Sequence, residues 1–196
     1  MRKIVLAVIA VLSLTYTQAQ EVQFGAKAGV NFANLTGDDA DGADARTSFH
    51  VGAVAEIKIN EKFSVQPELL YSSQGASTKD KFEGITFEST LKLDYINVPI
   101  MAKYYVADSF SLEVGPQIGF LVAAEAEYSM GGESETEDIK DQLKTVDFGL
   151  NFGLGYKLDN GINFGARYNF GLSNIAEDSD SDIKNSVFQI SVGYLF

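Results

Sequence analysis

The chain has 196 residues, enough for one domain, with a formal net charge of −12 and an isoelectric point near 4.4. That acidity argues against a nucleic-acid partner, which needs a basic footprint. The lack of cysteine excludes a disulfide scaffold, a thiolate metal site, a cysteine nucleophile and a lipoprotein anchor cysteine.

The first residues read as a secretory signal. Met1-Arg2-Lys3 is positively charged, Ile4 to Leu14 is apolar, and Thr17-Gln18-Ala19 ends on small residues. Cleavage is expected after Ala19, leaving residues 20–196 as a single domain. The apolar run is short for a bilayer span, and the remainder holds no other long apolar stretch, so no transmembrane helix is expected.

From Val22 onward apolar residues recur at every second position, the period of a strand. Strand one covers Val22 to Asn34, and a polar loop with Asp38, Asp39, Asp41 and Asp44 follows. Strand two, Ser48 to Ile59, sets Phe49, Val51, Ile57 and Ile59 on one face and His50, Glu56 and Lys58 on the other. After the turn Asn60-Glu61-Lys62 comes strand three, Phe63 to Gly75, with Glu68 on its polar face. A second polar loop is expected from about Ala76 to Thr90, with Ile85 to Glu88 available to extend the flanking strands.

Strand four, Leu91 to Tyr105, changes phase. Leu91, Leu93 and Tyr95 are apolar at odd positions, whereas Ile96, Val98, Ile100, Ala102 and Tyr104 are apolar at even ones. One extra residue near Tyr95-Ile96 restores a single apolar face, which predicts a β-bulge there, and Pro99 adds irregularity. Strand five runs from Phe110 to about Tyr128 with Glu113 on the polar face. The acidic segment Ser129 to Gln142 is expected as a third long loop.

The clearest alternation lies in Val146–Lys157 and Ile162–Ser173, separated by Asp159-Asn160-Gly161. This predicts a hairpin forming strands six and seven. Its bulky face carries Phe148, Leu150, Phe152, Leu154, Tyr156, Phe164, Tyr168 and Phe170; the other carries glycine, asparagine, Arg167 and Lys157. A fourth polar loop, Ala176 to Lys184, precedes strand eight, Asn185 to Phe196.

A water-soluble barrel must fill its inside with large side chains. Here the bulky face is uniformly apolar and the opposite face small or polar, as in a barrel that faces lipid. Eight strands, with long loops after the odd-numbered ones and short turns after the even-numbered ones, predict an all-β, eight-stranded antiparallel up-and-down transmembrane barrel in a Gram-negative outer membrane. Aromatic residues near the strand ends, Phe63, Tyr71, Tyr104, Tyr105, Phe110, Tyr156, Tyr168 and Tyr194, are expected at the membrane interfaces.

Three segments carry a family resemblance: Tyr95-Ile96-Asn97-Val98-Pro99-Ile100 with Lys103-Tyr104, Ala166 to Ile175, and Val187 to Phe196. They resemble the Bacteroidetes outer-membrane β-barrel family often called PorT-like, a resemblance that implies fold and compartment and leaves the task open. The terminal Tyr194 and Phe196 resemble the aromatic-ended signal read by the barrel-assembly machinery, which implies that machinery as a partner during insertion.

Function is addressed by the inward charges. Lys27, Glu56, Lys58, Glu68, Lys103, Glu113 and Arg167 are expected to form an ion-pair network with Arg167 as hub, since an unpaired buried charge is costly and a guanidinium can engage two carboxylates. The reading is a plugged, monomeric barrel with acidic outer loops, in a structural or interaction role, in contact with outer-membrane lipid and lipopolysaccharide. Small-solute transport is the alternative, and a lipid hydrolase built on His50, the sole histidine, with Ser48 or Ser73 is a third. No cofactor is expected. The clusters Asp39 to Asp44 and Asp178 to Asp182 suggest Ca²⁺ by composition but lack the spacing of an EF-hand loop.

Overall fold

The computed structural model describes residues 21–38, 40, 42–82, 85–130, 133–177 and 181–196, with backbone alone at 80–82, 85 and 86. The segment expected to be a secretory signal, Asp39, Asp41 and Asp178 to Asp180 lie outside the described residues. Nine strands are present among them: β1 (Val22–Thr36), β2 (Asp44–Asn60), β3 (Phe63–Phe82), β4 (Ile85–Ala107), β5 (Phe110–Met130), β6 (Glu133–Asp138), β7 (Val146–Lys157), β8 (Ile162–Gly171) and β9 (Lys184–Leu195).

Eight of them close a ring. Every neighbouring pair is antiparallel, β4 pairs with β5 and β1 with β9, so no edge is left in the ring itself. The Asn160-Gly161 turn joins β7 to β8 with Gly161 at φ +89°, a backbone conformation that glycine accepts without steric cost. The three short turns and both ends of the described chain lie at one end of the ring; the long connections lie at the other.

Alternation decides which side chains face out. Phe24, Phe49, Leu69, Leu112, Phe148, Phe152, Leu154, Phe164, Phe170, Ile190 and Val192 stand on the outer surface, each roughly half exposed. An apolar surface of that extent encircling the molecule cannot persist in water and requires lipid.

Strand four of the sequence reading differs. The β3–β4 register is unshifted from Phe63↔Tyr104 to Phe82↔Ile85, so β4 contains no bulge at Tyr95-Ile96. The register shift lies in the β4–β5 pairing, where Asp94 faces Ala123 and Tyr95 faces Leu121, leaving Val122 of β5 as the extra residue. Odd positions of β4 therefore face inward from Phe87 to Tyr105, and Leu93, Tyr95, Asn97 and Lys103 are all buried. Pro99 interrupts the β3–β4 ladder without changing its register: pairing resumes at Pro67↔Ile100 and Leu70↔Asn97.

The phase change in the sequence is thus an inversion of environment. Below the level of Ile96 and Phe120 the wall is apolar outside and polar inside. Above it, Lys92 and Asp94 of β4 and Glu125 and Glu127 of β5 point outward, while Leu93, Leu121, Ala124 and Tyr95 pack inside against Ile175. Leu35, Leu91, Ile139, Leu143 and Ile183 extend this cluster. It is held over the barrel mouth by backbone bonds from Lys144 N to Ile175 O at 2.8 Å and from Ile175 N to Ile183 O at 2.8 Å.

The outer connections are more ordered than expected. The described residues of the stretch expected as the second polar loop belong to β3 and β4 and pair with one another, from Ala76↔Leu91 to Phe82↔Ile85. The acidic stretch expected as a third loop contains β6, paired with the upper part of β5, and a 3-10 turn at Lys140–Gln142. All six residues of β6 are exposed, so it has no buried face and no alternation to announce it. β5 holds β7 along its lower half and β6 along its upper half. At ~3.3 Å per residue, the 23 residues of β4 reach about 75 Å, roughly twice what a tilted strand needs to cross hydrocarbon. β3, β4, β5 and β6 therefore continue as a four-stranded sheet beyond the barrel.

Candidate functional site

The inward residues meet in layers. At mid-height Arg167 of β8 reaches Glu68 of β3 through two parallel bonds, Nη1–Oε2 at 2.9 Å and Nη2–Oε1 at 2.8 Å. In the ring β8 and β3 are diametrically opposite, so this pair spans the interior. From the remaining quadrants come Glu113 of β5, with Oε2 3.3 Å from Arg167 Nη2, and Lys27 of β1, with Nζ 3.3 Å from Glu68 Oε1. Lys103 of β4 lies 3.3 Å from Glu113 and 3.9 Å from Glu56. Gln66 links the two sides, accepting from Lys103 at 3.1 Å and donating to Glu68 at 2.7 Å.

Six of the seven expected charges join this set: Lys27, Glu56, Glu68, Lys103, Glu113 and Arg167. Lys58 does not. It points toward the barrel axis by parity, yet it sits at the rim below Glu56, and its ammonium leaves for Glu21 at 2.9 Å with a side chain 38% exposed. Glu21, outside the membrane-spanning strands, has its carboxyl pKa lowered by the hydrogen bond and charge of Lys58. The place expected for Lys58 is taken by Lys157 at the end of β7, 3.3 Å from Glu56 and 2.5 Å from Gln23 Oε1. Parity puts Lys157 on the polar face of its strand, but the expected network does not contain it.

Glu56 is the second centre. Besides Lys103 and Lys157 it accepts from Ser64 at 2.8 Å and from the phenol of Tyr105. Tyr105 therefore turns inward and leaves the interfacial set to its neighbour Tyr104, which is outward and exposed. Between Lys27, Gln66, Lys103 and Glu113 lies a void of 10 Å³, room for about one water. Below Lys157 the barrel opens into a cavity of 760 Å³ lined by Glu21, Gln23, Lys58, Tyr105 and Asp159 among others.

Above the charges lies an uncharged polar layer. Asn31 Nδ2 donates to Ser73 O at 2.7 Å and Phe49 O at 3.0 Å, which orients Oδ1 toward His50 Nδ1, 2.7 Å away. Nδ1 therefore carries the proton and donates. Gln189 donates to the same Oδ1 at 2.9 Å. The imidazole lies against the bare Cα of Gly29, where a Cβ would come within 2.6 Å of His50 Cε1. Ser48 donates to Ser73 O and the Ser73 hydroxyl accepts from Arg46, so neither serine is hydrogen-bonded to the histidine. The serine–histidine contact expected for a hydrolase is therefore not formed by Ser48 or Ser73.

Higher still, Asn185 of β9 donates to Asp147 of β7 at 2.9 Å and to the Tyr95 hydroxyl of β4 at 3.2 Å, joining the polar layers to the apolar cluster. Among the described residues no three His, Asp or Glu side chains converge in a way that would hold a metal ion. The described part of the last acidic loop places Asp182 2.7 Å from Lys184. At the other end Tyr194 and Phe196 point outward with ring centroids 6.3 Å apart, and Phe196 N donates to Phe24 O at 2.9 Å.

The architecture is shared with solved structures. Neisserial surface protein A superposes with a TM-score of 0.58 at 13% identity, over 90% of this chain and 99% of that one. Ail, the attachment invasion locus protein of Yersinia pestis, superposes with a TM-score of 0.50 at 15% identity, again over 90% and 99%. At such identities the likeness is one of fold. No curated protein matches the chain in sequence. The family model for the outer membrane protein beta-barrel domain matches residues 18–177. The chain, an eight-stranded transmembrane barrel of the outer membrane, belongs to the outer membrane protein beta-barrel domain family.

Proposed function

We propose that this barrel is a plugged, monomeric anchor that does not conduct and that carries an acidic sheet outside the membrane in a structural or interaction role. The observation that carries the reading is the Arg167–Glu68 pair, bidentate across the full width of the interior and flanked by Lys27 and Glu113. Three cations and three anions neutralise one another there, around a void that holds about one water. A solute entering from the 760 Å³ cavity would have to separate these pairs, and a charge left unpaired in so narrow a space costs several kcal/mol. The apolar cluster of Leu93, Leu121 and Ile175 forms a second stopper at the outer mouth.

The partners that follow are outer-membrane lipid and lipopolysaccharide around the apolar belt, and the barrel-assembly machinery, which would read Tyr194 and Phe196 during insertion. Within the family, Tyr95–Ile100 and Ala166–Ile175 favour a place among the PorT-like proteins. The barrel has no catalytic role in this reading. Planar-bilayer recording tests it: the folded protein is expected to give no discrete conductance steps, and regular steps from the unmodified protein would overturn the plug in favour of small-solute transport.

A further inference from the structure

The four-stranded sheet above the barrel has two unlike faces. On the face continuous with the apolar cluster, cross-strand pairing sets Phe87 of β4 opposite Met130 of β5 and Ser89 opposite Tyr128. The next strand sets Glu133 opposite Met130, Glu135 opposite Tyr128 and Glu137 opposite Ala126. Directly paired residues share a face and lie about 5 Å apart. An apolar row is therefore flanked along its length by a row of glutamates.

Both rows are open to solvent. Tyr128 is 53% exposed and Met130 57%, beside a groove of 490 Å³ bordered by Thr78, Phe87, Tyr128, Met130, Glu133 and Glu135. Two cations of the sheet are engaged elsewhere: Lys79 pairs with Glu88 at 3.1 Å and Lys92 pairs with Glu127. Among the described residues, Glu133, Glu135 and Glu137 have no ion-pair partner. Nor does this row lie at the level of lipid, because the outward positions between it and the apolar belt include Lys92, Asp94, Glu125 and Glu127. A free apolar row stabilises nothing in water, and a single-sign acidic border repels a second copy of itself.

Resting on the reading of the sheet as an interaction platform, we propose that this groove binds a cationic amphipathic peptide segment of another protein. Its apolar side chains would lie on Phe87, Tyr128 and Met130, and its lysines or arginines would meet Glu133, Glu135 and Glu137. The charge pattern selects the sign of the partner, and the apolar row requires that it also carry bulky side chains. Charge alone would give steering without retention, and apolar contact alone would give no choice of partner.

The chain contains no tryptophan, so a probe carrying one reports without background. The test uses the folded protein in phosphatidylcholine nanodiscs and an eight-residue peptide alternating lysine with leucine, one leucine replaced by tryptophan. A saturable blue shift of the probe beyond that with empty nanodiscs is expected, weakening at raised ionic strength. The triple variant Glu133→Gln, Glu135→Gln, Glu137→Gln and, separately, Tyr128→Ser with Met130→Ser should each weaken binding at least tenfold. These substitutions are at exposed positions, and heat-modifiable migration confirms that each variant keeps its barrel. Equal binding by parent and both variants, equal binding of a glutamate-for-lysine peptide, or a shift no greater than that of empty nanodiscs would overturn the proposal. Self-association through the groove, seen by sedimentation and abolished by Tyr128→Ser with Met130→Ser, would overturn it in favour of a second copy. Conductance is read separately, so a silent barrel that binds no peptide refutes the groove alone, and a conducting barrel refutes the plug alone.

Discussion

Arg167 and Glu68 stand on diametrically opposite strands and meet through two parallel hydrogen bonds of 2.9 and 2.8 Å, so a single side-chain pair bridges the barrel. Antiparallel bonding closes the wall; this pair, with Lys27 and Glu113 beside it, determines what the wall encloses.

Glu68→Ala removes the acceptor shared by Arg167 and Lys27 and leaves both cations buried. A loss of about 3–5 kcal/mol is expected in equilibrium urea unfolding from lipid vesicles. Arg167→Met combined with Glu68→Leu removes one charge of each sign, so only Lys27 is left without its partner, and should recover part of that loss. A double variant as unstable as Glu68→Ala would show that the pair itself, and not the orphaned charge, carries the effect.

The orientation of β4 is open to chemical labelling because the chain has no cysteine of its own. Lys92→Cys and Asp94→Cys should react with a membrane-impermeant maleimide, and Leu93→Cys and Ile96→Cys should stay protected, one inside the apolar cluster and the other at the lipid boundary. Reaction at Leu93→Cys with protection at Lys92→Cys would place the bulge back in β4.

Ile175 is buried in the cluster over the mouth, packed with Leu93 and Leu121. Ile175→Ala should cost about 2–4 kcal/mol by the same unfolding measurement. A change below ~0.5 kcal/mol would mean that the outer connections do not dock on the barrel as described.

Lys58 and Lys157 share a parity class and differ in depth, so they should respond differently. Lys58→Ala is expected to change stability by less than about 1 kcal/mol, because its pair with Glu21 is exposed to water and salt. Glu21 has a pKa below its ordinary 4.5, so whatever this pair contributes is present above that value and lost as pH falls through the lowered one. The small difference between Lys58→Ala and the parent should therefore vanish in acid. Lys157→Ala, which takes the nearer of two cations from the buried Glu56, should cost more than Lys58→Ala at neutral pH; equal losses would contradict the depth assignment.

Phe196 is 75% exposed and contributes little packing. Phe196→Ala should leave refolding into vesicles within about 0.5 kcal/mol of the parent while lowering the amount assembled in the outer membrane of cells. Equal assembly in cells would remove the proposed signal.

The two faces of the wall were legible in the sequence because lipid on one side and a narrow interior on the other impose a period of two on its strands. Parity alone placed Arg167, Glu68, Glu113, Lys103, Lys27 and Glu56 on one face. It also placed Lys58 and Lys157 there, but parity states a direction and not a depth, and depth decides which of the two reaches Glu56. The strand β6 left no trace because all its side chains meet water, and a strand without a buried face has no alternation to read.

The sequence by itself determined the eight strands of the wall, their lipid-facing sides and the polar character of the interior, since these follow from local alternation. Only the tertiary structure decided that Leu91, Leu93 and Tyr95 turn inward and not outward. Each face of a strand meets a different medium at different heights, and where lipid gives way to water is set by the closed ring and by the segments folded over its mouth.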